Sequence, residues 1–124
     1  MEINGMRFNH YSIGVADLKK SKHFYQNILG LELISRPDFD FNGAWFQIDP
    51  GVQLHLIENK NIEVFFSDSR KLHFALAVSD IYLVRNKLEK LGVQCAIDIK
   101  SRPDGVLQFY IIDPDGYFIE ITEI

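Results

Sequence analysis

The chain has one cysteine, no long apolar run and no run of like charge in its 124 residues. A single cysteine, Cys95, cannot form an internal disulfide, so the fold must depend on buried apolar side chains. The purest apolar stretch, Phe74 to Val78, is far too short to span a membrane. The first ten residues contain neither the basic nor the apolar part of a secretion signal, and we expect a cytoplasmic protein.

The number and spacing of the charged residues argue against binding to large polyanions. The chain carries 13 basic and 17 acidic residues, a net charge of −4, and its basic residues are scattered. Nucleic acid and anionic membranes are therefore not expected as partners. With 47% apolar residues, the length suits a single domain over 1–124 with its own core.

An internal repeat organises the chain. The segment from His10 to Leu33 resembles the segment from His73 to Cys95, with one residue more before the glycine. The segment from Trp45 to Glu58 likewise resembles Phe109 to Glu123, which places His55 over Glu120. The repeat predicts two modules, at about 6–60 and about 70–124.

Each module predicts one helix followed by three strands, after an opening strand. Asp17 and Asp80 are expected to cap the two helices, and Gly30 and Gly92 to end them. An apolar stripe, Ile81, Val84, Leu88 and Leu91, marks the second helix. The predicted strands are 8–15, 31–35, 44–48, 53–58, 72–78, 94–99, 106–112 and 117–121. The fold class is thus α+β, two βαβββ modules in tandem, with mixed and mostly antiparallel sheets and helices on their outer faces.

Strand alternation assigns the chemistry-bearing side chains to one face of each sheet. His10 and His55 fall on the less apolar face of the first module, and His73 and Glu120 on that of the second. Three imidazoles and one carboxylate suit Zn²⁺, Ni²⁺, Fe²⁺, Co²⁺ or Mn²⁺ better than Ca²⁺ or Mg²⁺. We therefore expect a site for a divalent transition metal at His10, His55, His73 and Glu120. Phe39, Phe41, Trp45 and Phe46 either line an apolar pocket or belong to the core.

The segments HYSIGVADLKKSKHFYQNILGLEL, LHFALAVSD and DPDGYFIEI resemble the vicinal oxygen chelate superfamily, and among its members glyoxalase I (lactoylglutathione lyase). The resemblance implies that His10, His55, His73 and Glu120 are the metal ligands. It further implies a metal-dependent lyase or isomerase that acts on a small vicinal-oxygen substrate through a metal-stabilised enediolate, with Glu120 as the catalytic base.

The same resemblance leaves other functions open. An Fe²⁺ extradiol-type dioxygenase uses two His and one carboxylate, and a metal-free drug-binding protein shares the fold. The chain also departs from bacterial glyoxalase I, which usually has a carboxylate at the position of His55 and an arginine at that of Gly14, whereas Asn59 matches a residue that contacts glutathione. The substrate, its glutathione content and the identity of the metal stay open at this point. So do the choice among lyase, epimerase and dioxygenase and the question whether the metal ligands come from one chain or from two.

The length of the chain predicts assembly. Without a C-terminal arm to cover a cavity, an isolated chain with many Phe and Ile residues in its strands would expose apolar surface. We therefore expect a homodimer in which His10 and His55 of one chain meet His73 and Glu120 of the other.

Overall fold

The computed structural model describes residues 3–64 and 71–124. The chain divides into two compact units, Met1–Ile62 and Glu63–Ile124, each with one four-stranded sheet. The predicted α+β fold with two βαβββ modules is confirmed. Among the residues described, no helix is long and apolar enough to cross a membrane.

The first unit builds its sheet from strands β1 to β4 in the order β1-β4-β3-β2. Strand β1 is parallel to β4, and the other pairs are antiparallel. The strands are β1 (His10–Val15), β2 (Glu32–Ile34), β3 (Gly43–Asp49) and β4 (Val52–Glu58). Helix α1 (Leu18–His23) packs on β3 and β4.

The second unit repeats this topology with strands β5 to β8 in the order β5-β8-β7-β6. The parallel pair is again formed by the first and last strands. The strands are β5 (Phe74–Val78), β6 (Gln94–Ser101), β7 (Leu107–Ile112) and β8 (Phe118–Glu123). Helix α2 (Ile81–Lys90) packs against β8.

Both helices begin at the predicted aspartates. Asp17 accepts a hydrogen bond from the Lys20 N–H, and Asp80 accepts one from the Leu83 N–H. Both predicted glycines have a positive φ, 76° at Gly30 and 78° at Gly92. Because a left-handed residue ends a helix most easily when it has no Cβ, the sequence predicted these caps correctly.

A second carboxylate also contacts each helix start. The Glu58 Oε2 accepts a hydrogen bond from the Leu18 N–H at 2.9 Å, and the Glu123 Oε2 accepts one from the Ile81 N–H at 3.0 Å. These two glutamates end the last strand of their units, so each strand is tied to the first free amide of its own helix.

The extra residue of the first module is absorbed by a π-helical turn. Residues Phe24–Ile28 continue α1 with wider hydrogen bonding, and the Leu29 N–H bonds to the Phe24 carbonyl at 2.9 Å. Because the turn spans five residues instead of four, Phe24 and Tyr25 are both buried.

The core of each unit lies between its helix and one face of its sheet. In the first unit Val15, Tyr25 and Phe46 are fully buried, and Phe46 therefore belongs to the core and not to a pocket. In the second unit Ile81 and Leu88 are buried, whereas Leu91 lies beyond the last residue of α2 and is 55% exposed. Leu91, the last residue of the predicted apolar stripe, is the C-cap of this helix and is followed by Gly92 as expected.

Candidate metal centre

The four predicted ligands form two pairs, one in each unit. Within residues 3–64 and 71–124 no group of three or more His, Cys, Asp or Glu side chains gathers at one point. His10 lies beside His55 in the first unit, and His73 lies beside Glu120 in the second.

In the first unit the His55 imidazole lies between two other rings. Its centroid is 3.9 Å from that of Trp45, with the planes inclined by 1°, and 4.1 Å from that of His10, with the planes inclined by 14°. Strand register explains this stack, since Trp45 on β3 lies directly opposite His55 on β4. The stack holds His55 in one orientation, and its residue is only 8% exposed.

Neighbouring amides orient both imidazoles. The His10 Nδ1–H donates to the Asn9 Oδ1 at 2.7 Å, and the His55 Nε2–H donates to the Gln53 Oε1 at 2.8 Å. A lone pair then lies on Nε2 of His10 and on Nδ1 of His55. Such outer contacts commonly set the tautomer of a metal-binding histidine, so the other nitrogen of each ring carries the lone pair that would bind a metal.

Electrostatics also favours the neutral form of His55. Burial lowers the pKa of His55, and the nearby His10 and Arg36 lower it further. A neutral imidazole is the form that binds a metal. One obstacle is geometric, because a metal lies in the plane of each imidazole that binds it. Two nearly parallel stacked rings cannot both hold one ion, so His10, the exposed partner, must rotate before the pair can chelate.

In the second unit the His73 Nε2 lies 3.1 Å from the Glu120 Oε1. Glu120 is buried, at 7% exposure, on strand β8. His73 directly precedes β5, which begins at Phe74. Both β5 and β1 begin two residues later than the sequence indicated. The predicted neighbours thus meet even though the strand boundaries differ.

Tyr110, which the sequence analysis missed, contacts the same carboxylate. Its hydroxyl donates to the Glu120 Oε1 at 2.9 Å, and its ring lies edge-on to His73 at 5.3 Å. Tyr110 faces Glu120 directly across β7 and β8, as Trp45 faces His55 across β3 and β4. This equivalence is hidden in the sequence, because a bulge between Gln47 and Asp49 shifts the repeat by one residue.

A cavity of about 490 Å³ opens beside the histidine pair of the first unit. His10, His55, Phe39, Phe41 and Trp45 all line it. Its volume is in the range of small-molecule sites in proteins. For the four aromatic residues the sequence left pocket and core open, and three of them, Phe39, Phe41 and Trp45, line this cavity.

The donor set, two imidazoles in one unit and an imidazole with a carboxylate in the other, matches the ligands that divalent transition metals prefer. The Glu120 Oε1 contacts the His73 Nε2 and accepts a hydrogen bond from the Tyr110 hydroxyl, and these two contacts hold the carboxylate in place.

Known proteins are similar to this chain in sequence and in fold. A lactoylglutathione lyase of Neisseria meningitidis is 30% identical over 126 residues, which cover 95% of this chain and 91% of that protein. Glyoxylase I 4 of Arabidopsis thaliana is 29% identical over 91% of this chain and 68% of that protein. The crystal structure of a glyoxalase family protein from Bacillus anthracis has a TM-score of 0.79 at 28% identity, covering 99% of this chain and 98% of the other.

The family comparison covers nearly the whole chain. The pattern of the Glyoxalase/Bleomycin resistance protein/Dioxygenase superfamily matches residues 7–121, which include all four predicted ligands. Together with the two repeated modules, this match shows that the chain belongs to the Glyoxalase/Bleomycin resistance protein/Dioxygenase superfamily.

Proposed function

We propose that this protein is a divalent-metal-dependent lyase or isomerase of the glyoxalase I type that acts on a small substrate with two vicinal oxygens. The observation that carries the proposal is the pairing of metal-capable side chains at equivalent places in both units, His10 with His55 and His73 with Glu120. The similarity to lactoylglutathione lyases supports the reaction class.

The metal is proposed to be Zn²⁺, Ni²⁺, Fe²⁺, Co²⁺ or Mn²⁺, held by His10, His55, His73 and Glu120. When bound, such an ion supplies Lewis-acid polarisation of the two substrate oxygens and stabilises the negative charge that develops on them.

The protein side chains perform the proton transfer. Glu120 is the proposed base, and it accepts the proton from the carbon next to a substrate carbonyl. The Tyr110 hydroxyl, 2.9 Å from Oε1, holds the carboxylate in position during that step. His55, stacked on Trp45, stays a neutral donor and takes no part in moving the proton.

The proposed assembly is a homodimer. His10 and His55 of one chain are proposed to meet His73 and Glu120 of the other, which gives two equivalent sites about a two-fold axis. Neither pair alone supplies the three or four protein ligands that a catalytic metal usually has, so the site needs both pairs, and the proposed dimer brings them together between chains.

Metal analysis tests the ligand set. The protein is loaded with Zn²⁺ or Ni²⁺, dialysed and analysed, with an expected result of about one ion per chain. His55→Ala and Glu120→Gln are expected to lower this content sharply. His23→Ala is the matched control, since His23 is an exposed imidazole on α1 that does not line the cavity beside His10 and His55, and it should retain the metal. Absence of bound metal in the unmodified protein would refute the ligand set.

Activity and complementation test the remaining parts. The metal-loaded protein should convert a hemithioacetal without consuming oxygen, and Glu120→Gln should abolish turnover while the protein stays folded. Mixing His10→Ala with Glu120→Ala chains should restore up to one intact site in each heterodimer. No recovery in verified heterodimers would place all four ligands within one chain.

A further inference from the structure

The cavity beside His10 and His55 has an aromatic wall, formed by Phe39, Phe41 and Trp45. The Phe39 and Phe41 rings stack at 5.0 Å, and Phe39 lies 6.2 Å from Trp45. Since Trp45 stacks on His55, the wall is a continuous series of rings that ends at a proposed metal ligand.

Two rings of the wall, Phe39 and Phe41, are partly exposed to solvent, which is unfavourable for apolar side chains. Phe39 is 42% exposed and Phe41 is 40% exposed, although both rings have apolar surface to bury. Isolated apolar residues on a surface are common, but adjacent stacked rings that line a cavity are typical of a binding site.

Arg36 fixes the wall from behind. Its guanidinium carbon lies 5.0 Å from the Phe39 ring and 5.2 Å from the Phe41 ring, and its Nη2 donates to the Phe41 carbonyl at 3.2 Å. Its Nε is buried without a hydrogen-bond partner among the described residues, which is unfavourable. The contacts of the guanidinium with the two rings thus coexist with an unfavourable, buried Nε–H.

Gly43 leaves room for this arrangement. A Cβ on Gly43 would lie 3.2 Å from the Arg36 Nη2 and would collide with the Leu56 carbonyl oxygen. The start of β3 is thus shaped to admit the guanidinium behind the two rings.

We propose that the wall of Phe39, Phe41 and Trp45 determines substrate specificity by binding a planar aromatic group of the substrate, and that Arg36 is its positioning residue. The inference rests on the proposed function, because it places the vicinal oxygens of the substrate at the metal beside His10 and His55. A flat ring fits a surface of stacked rings, whereas a flexible polar peptide gains little from it.

Two hydroxamates test the inference. Benzohydroxamate and acetohydroxamate carry the same chelating pair of oxygens and differ in a phenyl against a methyl group. Trp45, the only tryptophan of the chain, lines the cavity, so its fluorescence reports on binding directly. Calorimetry gives the dissociation constants, with the protein Zn²⁺-loaded and again after treatment with EDTA.

We expect benzohydroxamate to bind the loaded protein about tenfold more tightly than acetohydroxamate, equivalent to about 1.4 kcal/mol. Phe39→Leu with Phe41→Leu should reduce this preference to less than about threefold. Phe8→Leu is the matched control, because Phe8 is 65% exposed and does not line the cavity. Arg36→Ala should also reduce the preference, and Arg36→Lys should restore part of it.

The measurements on the Zn²⁺-loaded and on the EDTA-treated protein test the metal function and the aromatic specificity separately. If neither hydroxamate needs zinc for binding, the proposed metal function fails, and the preference for phenyl in the EDTA-treated protein still decides this inference. Equal affinities for the two probes in both states would overturn it. A Trp45 signal that follows protein concentration and ignores benzohydroxamate would also overturn it, since the wall would then be a contact between copies of the chain.

Discussion

Replacing Tyr110 with phenylalanine removes one hydroxyl from the second unit and keeps the ring. The residue is 6% exposed, and its hydroxyl donates to the buried Glu120 at 2.9 Å. Because the shapes match, the substitution creates no large cavity, and the lost hydrogen bond dominates the effect.

The structure sets the size of that effect. A hydrogen bond to a charged group contributes about 1.5–3 kcal/mol to stability. Glu120 keeps His73 as a neighbour at 3.1 Å, so we expect the low end of this range, about 1.5–2 kcal/mol. For a chain of this size the loss corresponds to a fall in Tm of about 4–8 °C.

Urea unfolding of the EDTA-treated protein, followed by far-UV circular dichroism, measures this loss without a contribution from metal binding. Tyr82→Phe is the matched control, since Tyr82 is 57% exposed on α2 and its hydroxyl should contribute less than about 0.5 kcal/mol. A Tyr110→Phe protein as stable as the Tyr82→Phe protein would refute the reasoning, because the hydroxyl would then make no bond of consequence to Glu120.

Three further predictions concern the frame around the site. Gly43→Ala should lower the free energy of unfolding in urea by about 2–3 kcal/mol, because the new Cβ meets backbone. Gly51→Ala, at φ 75° with open space, should lower it by about 1–2 kcal/mol, and Gly51→Asn should restore most of this loss. The pKa of Glu58 is lowered by the hydrogen bonds from the Leu18 N–H and from Asn42, so its carboxylate stabilises the fold above pH about 4.5 and loses this effect as the pH falls through the lowered pKa. The urea midpoint of Glu58→Gln should accordingly fall below that of the unmodified protein at pH 7 and equal it at pH 2. Asp80→Ala should cost about 1 kcal/mol by thermal unfolding, and Asp80→Asn little, since asparagine also caps helices.

Local signals in the sequence predicted most of the fold. Alternation along the strands separated the core residues from the His and Glu face, and the two aspartates marked the helix starts. Strand beginnings were less well predicted, since Phe8 and Leu72 are apolar but exposed, and neither lies in a strand of the described residues. Hydrophobicity alone does not report where pairing begins.

The neighbours of the site depend on register, which the sequence does not fix. Tyr110 reaches Glu120 because the register of β7 and β8 sets these two residues opposite each other, as the register of β3 and β4 does for Trp45 and His55. Arg36 was likewise missed, because its role depends on a loop that brings Phe39 and Phe41 over its guanidinium. The lone indication in the sequence was the density of aromatic residues that follows it.

The parallel pairing of β1 with β4 has a consequence for synthesis on the ribosome. His10 pairs with Gln53, roughly 40 residues later, and β1 has no other partner in its sheet. At translation rates of about 5–20 residues per second, the first strand waits about 2–8 s for its neighbour to emerge. The nascent chain therefore exposes the apolar side of β1 throughout that interval, which is when a chaperone would engage it, and the second unit imposes the same delay between β5 and β8.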